Sequence, residues 1–335
     1  MQSYLCGMLF CCAIAMASGA LAASESVRLI LANESGDAAS PMGQSMEEMA
    51  RLLHSSSNGR ITSRVFHRGE LGGQQEMFDH LLKGTVHIML AWPGTSYDKR
   101  LGAIYMPYLV LGWQDAIAAY SEGGWLKTLL DPVFLDNGLK FFGPYPEGFG
   151  GIASKGRYAT RFEQAGGLKV RSQPIFPLPQ TVQAMGFEAV PIDWNEVYTS
   201  IQTGVVDGDS SNVIYWDYEY FGDLLEYFVH SKHNFSAFML MMNLGVFETM
   251  SAADQELINQ AAEQIVAAQF AAAKAEDEKW IRTAQENGMR YIVPAEKDMA
   301  AWVERVRADV WPMAEAAVGT EIMNKVRNNA SVPGD

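Results

Sequence analysis

The feature that most constrains the fold is an alternation of short apolar strands with helical segments near the start of the chain. The stretch "SVRLILANES" (residues 26–35) predicts a strand, and residues 41–59 then carry apolar side chains at helical spacing. A second strand is predicted in "RITSRVF" (residues 60–66), and a helix followed by a buried strand in residues 74–92. Three strands joined by helices within about 70 residues require parallel crossovers, which predicts an open α/β sheet.

The same pattern begins again after a proline- and glycine-rich stretch, "LKFFGPYPEGFGGIAS" (residues 139–154). A strand is predicted at "LKVRS" (residues 168–172), and helices and strands then alternate as far as "VVDGD" (residues 205–209). The stretch between the two patterns is interpreted as a connection where the chain passes to a second α/β unit.

A long segment near the carboxyl terminus has a different character. From Ser251 to Gly288 the chain contains no proline and no interior glycine, and Ser251 is a suitable N-cap. At about 1.5 Å per residue this predicts a helix about 50 Å long, longer than one compact unit needs. We therefore expect the helix to lie across both units.

The first residues are typical of a secretory signal peptide, although no lysine or arginine precedes the apolar run. Leu5 to Ala17 is apolar, and an A-x-A pattern at Ala20 to Ala22 predicts cleavage after residue 22 or 23. The alternative, a membrane anchor, is disfavoured because about 13 apolar residues are too few to span a bilayer. The three cysteines lie in this segment, at positions 6, 11 and 12, so the exported chain is expected to have no disulfide and no thiolate nucleophile.

The charge of the chain excludes several classes of partner. A formal charge of −14 disfavours nucleic acid and anionic membrane surfaces, since both attract basic proteins. A positively charged pocket in so acidic a chain would be a local feature. This favours a small anionic ligand. No stable insertion into a membrane is expected, because no other run is long and apolar enough to cross one.

Catalytic and metal-binding motifs are weak. "GFGGIA" from Gly148 matches a dinucleotide fingerprint, but prolines stand where its strand should be. The histidines form no metal-binding motif, and Asp207 and Asp209 lack the glutamate that would complete a calcium loop. No cofactor, metal or catalytic residue is predicted, and an enzyme is the minority hypothesis.

One arginine stands out. In "GGLKVRSQP" (residues 166–174), Leu168 and Val170 alternate with Lys169 and Arg171, so the two cations should share one face of a strand. One interpretation is that Arg171 anchors a ligand carboxylate. The other is that it pairs with an acidic neighbour and holds two strands together.

The middle of the sequence resembles a known family. G-L-K-x-R (167–171), P-x-x-x-x-E-V-Y (191–198) and Q-x-G-x-V-D-G (202–208) occur here at the spacing found in solute-binding proteins of tripartite ATP-independent periplasmic (TRAP) transporters, in the dicarboxylate-binding branch. "GELGGQQEMFDHLLKGTVHI" from Gly69 also looks like an early block of that family.

The resemblance implies an α/β fold like that of the type II periplasmic binding proteins. Two α/β lobes would be joined by hinge strands, with the long helix spanning both and the ligand held between them. The expected divisions are a signal peptide at 1–23, lobe I at 24–147 plus 238–280, and lobe II at 148–237 plus 281–335.

The resemblance also assigns candidate ligand-binding residues. Arg171 would hold the ligand carboxylate, and a planar guanidinium suits that role because it offers two parallel donors. Relatives that bind sialic acid have a second arginine where this chain has Gly150, so Arg171 is expected to act alone. The other positions carried over are Trp194 as a pocket wall, Asn33 as an early polar contact, Ser211 or Asn212 as a hydrogen-bond partner, and Trp92 and Phe238 where those relatives are polar.

These departures predict a ligand with one anionic head on a less polar body, such as an aromatic or short-chain monocarboxylate, or a sulfonate. The alternative is that Trp92 and Phe238 are ordinary core aromatics. The resemblance implies a periplasmic, monomeric binding protein that delivers its ligand to the membrane permease subunits of a TRAP transporter. A ligand-presenting sensor and an exported hydrolase or lyase remain the competing hypotheses.

Overall fold

The computed structural model describes residues 26–332, which form two β-sheets surrounded by helices. The predicted signal peptide, residues 1–23, lies outside the described residues. The strands are β1 (Val27–Asn33), β2 (Ile61–Phe66), β3 (Ile88–Ala91), β4 (Leu139–Phe149), β5 (Ile152–Ser154), β6 (Lys169–Ser172), β7 (Glu188–Pro191), β8 (Gly208–Ser210), β9 (Tyr227–Val229), β10 (Phe235–Asn243) and β11 (Arg290–Ile292). The α-helices are α1 (Pro41–Ser56), α2 (Gln74–Leu82), α3 (Trp113–Tyr120), α4 (Trp125–Asp136), α5 (Phe162–Ala165), α6 (Leu178–Ala184), α7 (Val197–Gln202), α8 (Ile214–Phe221), α9 (Leu244–Glu248), α10 (Ala252–Glu286), α11 (Glu296–Val318) and α12 (Thr320–Asn329).

The first sheet, sheet I, has the strand order β2-β1-β3-β10-β4. β1 is parallel to both β2 and β3, as the strand–helix–strand pattern predicts, because a helix links each successive pair. β10 returns from late in the chain and runs antiparallel between β3 and β4. Its side chains are buried on both faces, which its sequence FSAFMLMMN allows.

The second sheet, sheet II, has the strand order β11-β9-β5-β8-β6-β7. β6 is parallel to β7 and β8, so the strand that contains Arg171 lies inside the sheet. We call the unit built on sheet I lobe I and the unit built on sheet II lobe II.

The proline-rich stretch before Gly150 differs from its interpretation as a connection, because it forms β4. Pro144 and Pro146 lack an amide hydrogen, yet β4 lies at the edge of sheet I, where a missing donor leaves no partner strand unsatisfied. The change of sheet is confined to Gly150 and Gly151, between β4 and β5.

Three segments meet where the chain passes between the lobes. The Gly150 amide donates to the Asn234 carbonyl at 3.0 Å, and the Gly151 amide donates to the Asn212 carbonyl at 2.9 Å. The Ser211 amide in turn donates to the Gly151 carbonyl at 3.0 Å. These backbone bonds join the crossing segments to one another, so they form a shared hinge.

Helix α10 confirms the predicted long helix. It covers 35 residues, and the Ser251 side chain caps it by accepting from the Asp254 amide. It packs on α1 and β4 of lobe I and on α8 and β11 of lobe II, and the side-chain amide of Gln269 donates to the Pro146 carbonyl at 2.7 Å. The helix therefore lies across both lobes.

No helix between residues 26 and 332 is both long and apolar enough to cross a membrane. The assignment of residues 24–147 plus 238–280 and 148–237 plus 281–335 to two moving units stays a prediction.

Candidate functional site

A small cavity of about 10 Å³ lies between the lobes, beyond the carboxyl ends of β1, β3, β6 and β8. Open α/β sheets commonly bind ligands at this position, because the loops that leave the strand ends converge there. This space holds about one water molecule, so a larger ligand would enter only if the lobes moved apart. The residues that line it are Glu34, Ser35, Gln74, Trp92, Glu147, Arg171, Gln173, Trp194, Asn212, Trp216 and Phe238.

Arg171 is fully buried on β6, whereas Lys169, two residues earlier on the same strand, is exposed. Its Nε donates to the Ile192 carbonyl at 2.9 Å, and its Nη1 donates to Oδ1 of Asp209 at 3.3 Å. Its Nη2 has no hydrogen-bond partner. An arginine cannot lose its charge, so this wall of the cavity carries a permanent cation with a free donor.

Asp209 is the acidic neighbour that the alternative interpretation of Arg171 required. It lies on β8, the strand next to β6, and both of its carboxylate oxygens accept hydrogen bonds. Burial raises the pKa of Asp209, although the Arg171 guanidinium favours its charged form. Arg171 thus holds two strands together and also borders the cavity.

A second buried carboxyl group lies close to this ion pair. Burial raises the pKa of Asp217 well above its ordinary value, and the adjacent Asp209 raises it further. The Asn212 side-chain amide lies between the two groups, 2.6 Å from Oδ2 of Asp209 and 3.4 Å from Oδ1 of Asp217. We therefore expect Asp217 to be neutral, with Asp209 as the counter-ion of Arg171.

The opposite wall contains a glutamate that immediately follows β1. Glu34 is 3% exposed, and its Oε1 accepts from the Gln74 side-chain amide at 3.2 Å, whereas its Oε2 has no partner. Burial raises the pKa of Glu34 to about 8, although the Trp92 backbone amide and the Gln74 amide favour the charged form. At neutral pH this carboxyl group is mostly protonated when the cavity is empty.

A second glutamate, Glu147, lines the cavity from β4. One of its carboxyl oxygens accepts from the Trp216 indole at 2.9 Å, and the other accepts from the Ser236 hydroxyl at 2.8 Å. Burial raises the pKa of Glu147 to about 8. Its hydrogen-bonding capacity is used within the protein, so it is less available to a ligand than Glu34.

Aromatic rings form the remaining walls. The Trp92 and Phe238 rings lie 5.7 Å apart, and the Trp216 ring lies 6.1 Å from Phe238 and 5.7 Å from Trp194. The Arg171 guanidinium lies 5.7 Å from the Trp194 ring. A bound molecule would therefore meet π-faces around a polar centre.

Five of the residues predicted from the sequence line this cavity. They are Arg171, Trp194, Asn212, Trp92 and Phe238. Trp92 and Phe238 also pack in the hydrophobic core, so both interpretations offered for them describe part of their environment. Their role in ligand binding stays a prediction.

The other three predicted residues do not line it. The Asn33 side chain contacts the His67 ring and the Gly36 amide, and the Ser211 hydroxyl contacts the His233 ring at 2.9 Å. Asn33 thus orders the loop after β1, and Ser211 belongs to the hinge.

Gly150 also belongs to the hinge, and it has no room for a side chain. A Cβ there would lie 2.1 Å from Oδ1 of Asn234 and 2.6 Å from the Ser211 carbonyl oxygen. A glycine is therefore required at position 150, where the chain crosses between the lobes.

Six lining residues were not predicted from the sequence: Glu34, Ser35, Gln74, Glu147, Gln173 and Trp216. Two of them had a usable signal. Glu34 follows the end of β1, and Gln173 stands two residues after Arg171, so both occupy the strand ends where ligands bind in such sheets. Gln74 and Trp216 come from helices, and only the approach of the lobes brings them to the cavity.

Direct contacts between the lobes close the cavity. The Trp194 indole donates to the Ser35 carbonyl at 3.2 Å, and the backbone amide of Gln74 donates to Oδ2 of Asp193 at 2.9 Å. The second contact caps α2, because its own N-cap residue, Gly73, has no side chain to do so. One lobe thus completes a helix of the other when they meet. Within residues 26–332, no cluster of three or more potential metal ligands is present.

Comparisons with known proteins agree with this architecture. A family model described as bacterial extracellular solute-binding protein, family 7, matches residues 32–316. The ectoine/5-hydroxyectoine-binding periplasmic protein UehA of Ruegeria pomeroyi is 24% identical over 253 residues, which cover 74% of this chain and 73% of that protein.

Two solved structures show the same fold. The sugar acid binding protein DctPAm of Advenella mimigardefordensis, in complex with galactonate, has a TM-score of 0.82 and 22% identity, covering 91% of this chain and 98% of its own. A TRAP periplasmic solute binding protein of Sulfurospirillum deleyianum, with bound succinate, has a TM-score of 0.82 and 19% identity, covering 90% and 99%. The predicted α/β fold is thereby confirmed.

Proposed function

The chain belongs to the bacterial extracellular solute-binding proteins of family 7, and from that premise we propose that it captures a small organic carboxylate between its two lobes. This membership confirms the family resemblance found in the sequence. It also decides between a solute-binding protein and an exported hydrolase or lyase, because members of this family bind solutes for transport. The chain is a solute-binding protein and not an enzyme.

The observation that carries the proposal is the unpartnered Nη2 of Arg171 at the cavity. A guanidinium with a free donor suits a carboxylate, which accepts hydrogen bonds and cannot donate them. Closure of the lobes removes water from around this contact, which strengthens the attraction between the opposite charges. A bound carboxylate would thereby favour the closed state.

The cavity suits a ligand with a single carboxylate group. Arg171 is the single cationic side chain among the residues that line it, and Gly150 leaves no space for a second arginine. The aromatic walls then accommodate the body of the molecule. A monocarboxylate fits this arrangement, and a sulfonate is the nearest chemical variant.

The partner follows from the family resemblance. We propose that the protein acts as a monomer in the periplasm and delivers its ligand to the membrane subunits of a TRAP transporter. The structural relative from Sulfurospirillum deleyianum, which bears the TRAP name, supports this proposal.

The test begins with the ligand that the protein carries. Protein purified from the periplasm is analysed by native mass spectrometry, and the released compound is identified and titrated back by calorimetry. We expect a compound with one carboxylate, recovered unchanged after prolonged incubation. Arg171→Met should weaken its binding by about 30-fold or more, because truncating one partner of a buried charge pair costs about 2–5 kcal/mol.

The control for that variant is Arg282→Met, which removes an exposed arginine of α10 and should bind normally. A panel of galactonate, succinate, benzoate and benzenesulfonate is tested in parallel by thermal shift. The proposal fails if no carboxylate co-purifies or stabilises the protein. It also fails if Arg171→Met binds as tightly as the unaltered chain.

A further inference from the structure

Residues of both lobes meet around one tyrosine at the protein surface, outside the cavity. Tyr220 lies on α8 in lobe II, one helical turn after Trp216, and it is partly exposed. Asp37, in the loop after β1, and Arg68, in the loop after β2, are exposed residues of lobe I. We call Asp37, Arg68 and Tyr220 the rim cluster.

The Tyr220 side chain makes two kinds of contact with lobe I. Its hydroxyl donates to Oδ2 of Asp37 at 3.2 Å. The central guanidinium carbon of Arg68 lies 4.3 Å from the centre of its ring, a distance at which cation–π attraction acts. Burial raises the pKa of Tyr220, so the hydroxyl keeps its proton at neutral pH and remains a donor. Two loops of lobe I therefore hold the same ring, one at its hydroxyl and the other at its face.

The Asp37 carboxylate is oriented by its own lobe. Its Oδ1 accepts from the backbone amides of Ala39 and Ser40, at 2.9 Å and 3.0 Å. These bonds do not involve lobe II, so they persist when the lobes separate. Oδ2 then points to the place that the Tyr220 hydroxyl occupies, and little freedom is lost when the contact forms.

The Tyr220 ring also contacts two walls of the cavity. Its centre lies 5.4 Å from that of the Trp216 ring and 5.8 Å from that of the Trp194 ring. Both tryptophans line the cavity. The rim cluster thus lies directly behind these two walls, on the side that faces solvent.

A ligand cannot pass while the rim cluster is intact. The cavity holds about one water molecule, so an organic molecule enters or leaves only when the lobes move apart. That movement breaks the contacts of Tyr220 with Asp37 and Arg68, because they join residues of opposite lobes. The same contacts are broken in both directions of passage.

We infer that the rim cluster controls the rates at which the ligand enters and leaves the cavity, with Tyr220 as its central residue. This inference rests on the proposed function and adds a kinetic barrier to it. A contact that stabilises the closed form equally with and without ligand slows association and dissociation alike, and it cancels from the affinity. Arg171 then determines how tightly the ligand binds, and Tyr220 determines how fast it exchanges.

Tyr220→Phe tests this inference, because it keeps the ring and its packing on the two tryptophans and removes only the hydroxyl. Both rate constants should rise at least about threefold, while the Kd stays within about twofold of the unaltered value. Stopped-flow tryptophan fluorescence measures the rates, and calorimetry measures the Kd. The probe is the carboxylate released from the purified protein or, where none is released, whichever of galactonate, succinate and benzoate stabilises it most. A rise in the dissociation rate alone, or no change in either rate, overturns the inference.

Tyr198→Phe is the matched control. The Tyr198 hydroxyl donates to Oδ2 of Asp223 at 2.7 Å, a bond of the same kind that lies within lobe II. Its loss should leave both rate constants unchanged. Equal acceleration by Tyr198→Phe and Tyr220→Phe would show a general effect of losing such a bond and would also overturn the inference.

A double variant shows whether Asp37 and Tyr220 act through one contact. Asp37→Ala should also accelerate exchange, and adding Tyr220→Phe to it should accelerate exchange no further, because the bond is already lost. If the two effects multiply, the residues act independently and the rim cluster is not the barrier.

The two proposals can fail separately. If a carboxylate binds and Arg171→Met abolishes its binding, but Tyr220→Phe exchanges it at the unaltered rates, the proposed function stands and the role of the rim cluster is rejected. If no carboxylate co-purifies with the protein or stabilises it, both are rejected.

Discussion

Arg171 and Asp209 form an ion pair in which both side chains are fully buried, with Nη1 of the arginine 3.3 Å from Oδ1 of the aspartate. The two residues lie on neighbouring strands of sheet II, β6 and β8. An unpaired buried charge in this position would destabilise the folded state. The ion pair with Asp209 therefore offsets the cost of burying the guanidinium in the ligand-free protein. Arg171 therefore has a structural role as well as its proposed binding role, and experiments on it must separate the two.

A double variant makes that separation. Arg171→Met leaves Asp209 buried without a partner, so we expect a loss of stability of about 3–5 kcal/mol. Arg171→Met combined with Asp209→Asn removes both charges and should recover a large part of that loss, while ligand binding stays abolished. Urea denaturation and calorimetry on the same samples measure the two effects. Recovery of binding in the double variant would contradict the role of Arg171 as the anchor.

Gly150→Ala should destabilise the protein because of its position at the hinge. The added methyl group would meet Oδ1 of Asn234 and the Ser211 carbonyl well inside contact distance. We expect a loss of about 1–3 kcal/mol, typical of an overpacked site, seen as a lower midpoint in urea. Gly166→Ala is the matched control, because nothing lies within 4 Å of its Cβ position. Equal midpoints for the two variants would show that Gly150 has more room than the structure gives it.

The cap that Asp193 provides to α2 should stabilise the closed state. Asp193→Ala removes the acceptor for the Gln74 amide, a contact made only when the lobes meet, and a lost cap costs about 1 kcal/mol. We therefore expect ligand dissociation about fivefold faster, measured by stopped-flow tryptophan fluorescence.

Ser40→Ala is the control for that experiment. It removes the cap of α1, a contact within lobe I, and should lower stability without changing the dissociation rate. If Asp193→Ala releases ligand at the unaltered rate, the contact between Asp193 and α2 does not hold the lobes together.

Stability of the ligand-free protein should fall as pH rises from 6.5 to 8. Burial raises the pKa of Glu34 and of Glu147 from 4.5 to about 8, so the folded state keeps protons that the unfolded chain has released. Asp277, whose pKa is raised to about 7, and Asp217 act in the same direction. The expected decrease is about 2 kcal/mol or more, since each fully effective group contributes about 1.4 kcal/mol per pH unit.

Between pH 6.5 and 8 the change in stability reports mainly on these carboxyl groups and not on the buried histidines. Burial lowers the pKa of His230 and His233 to about 3, so they reduce stability only below their ordinary value of 6.5. Urea denaturation at several pH values from 6.5 to 8 measures the slope, and Glu147→Gln should make it shallower. A stability that is constant or rises over this range would contradict the prediction.

The elements that the sequence predicts best are those whose signals are local. The long helix was expected from Ser251 to Gly288 and is observed at Ala252–Glu286, because the capping serine and the terminal Asn-Gly act on their own neighbours. β4 was missed because its prolines are tolerated only at a sheet edge, and the edge position depends on where β10 inserts.

The candidate site shows the same division. Arg171 could be singled out from its strand and from the family resemblance, whereas Gly150, which the resemblance placed in the pocket, is required by the hinge. Gln74 and Trp216 reach the cavity from helices of different lobes. No local pattern encodes that approach, so their positions could not be predicted from the sequence.

The place of β10 in sheet I has a consequence for how the chain folds. β10 lies between β3 and β4 and begins at Phe235, so a chain that ends earlier leaves the facing edges of those strands without a partner. Lobe I cannot complete its sheet during synthesis of its first half, because an interior strand is supplied late and by long-range pairing, which is slow. If the chain is exported, as we propose, a lobe that waits for its last strand would remain unfolded while the polypeptide passes through the membrane.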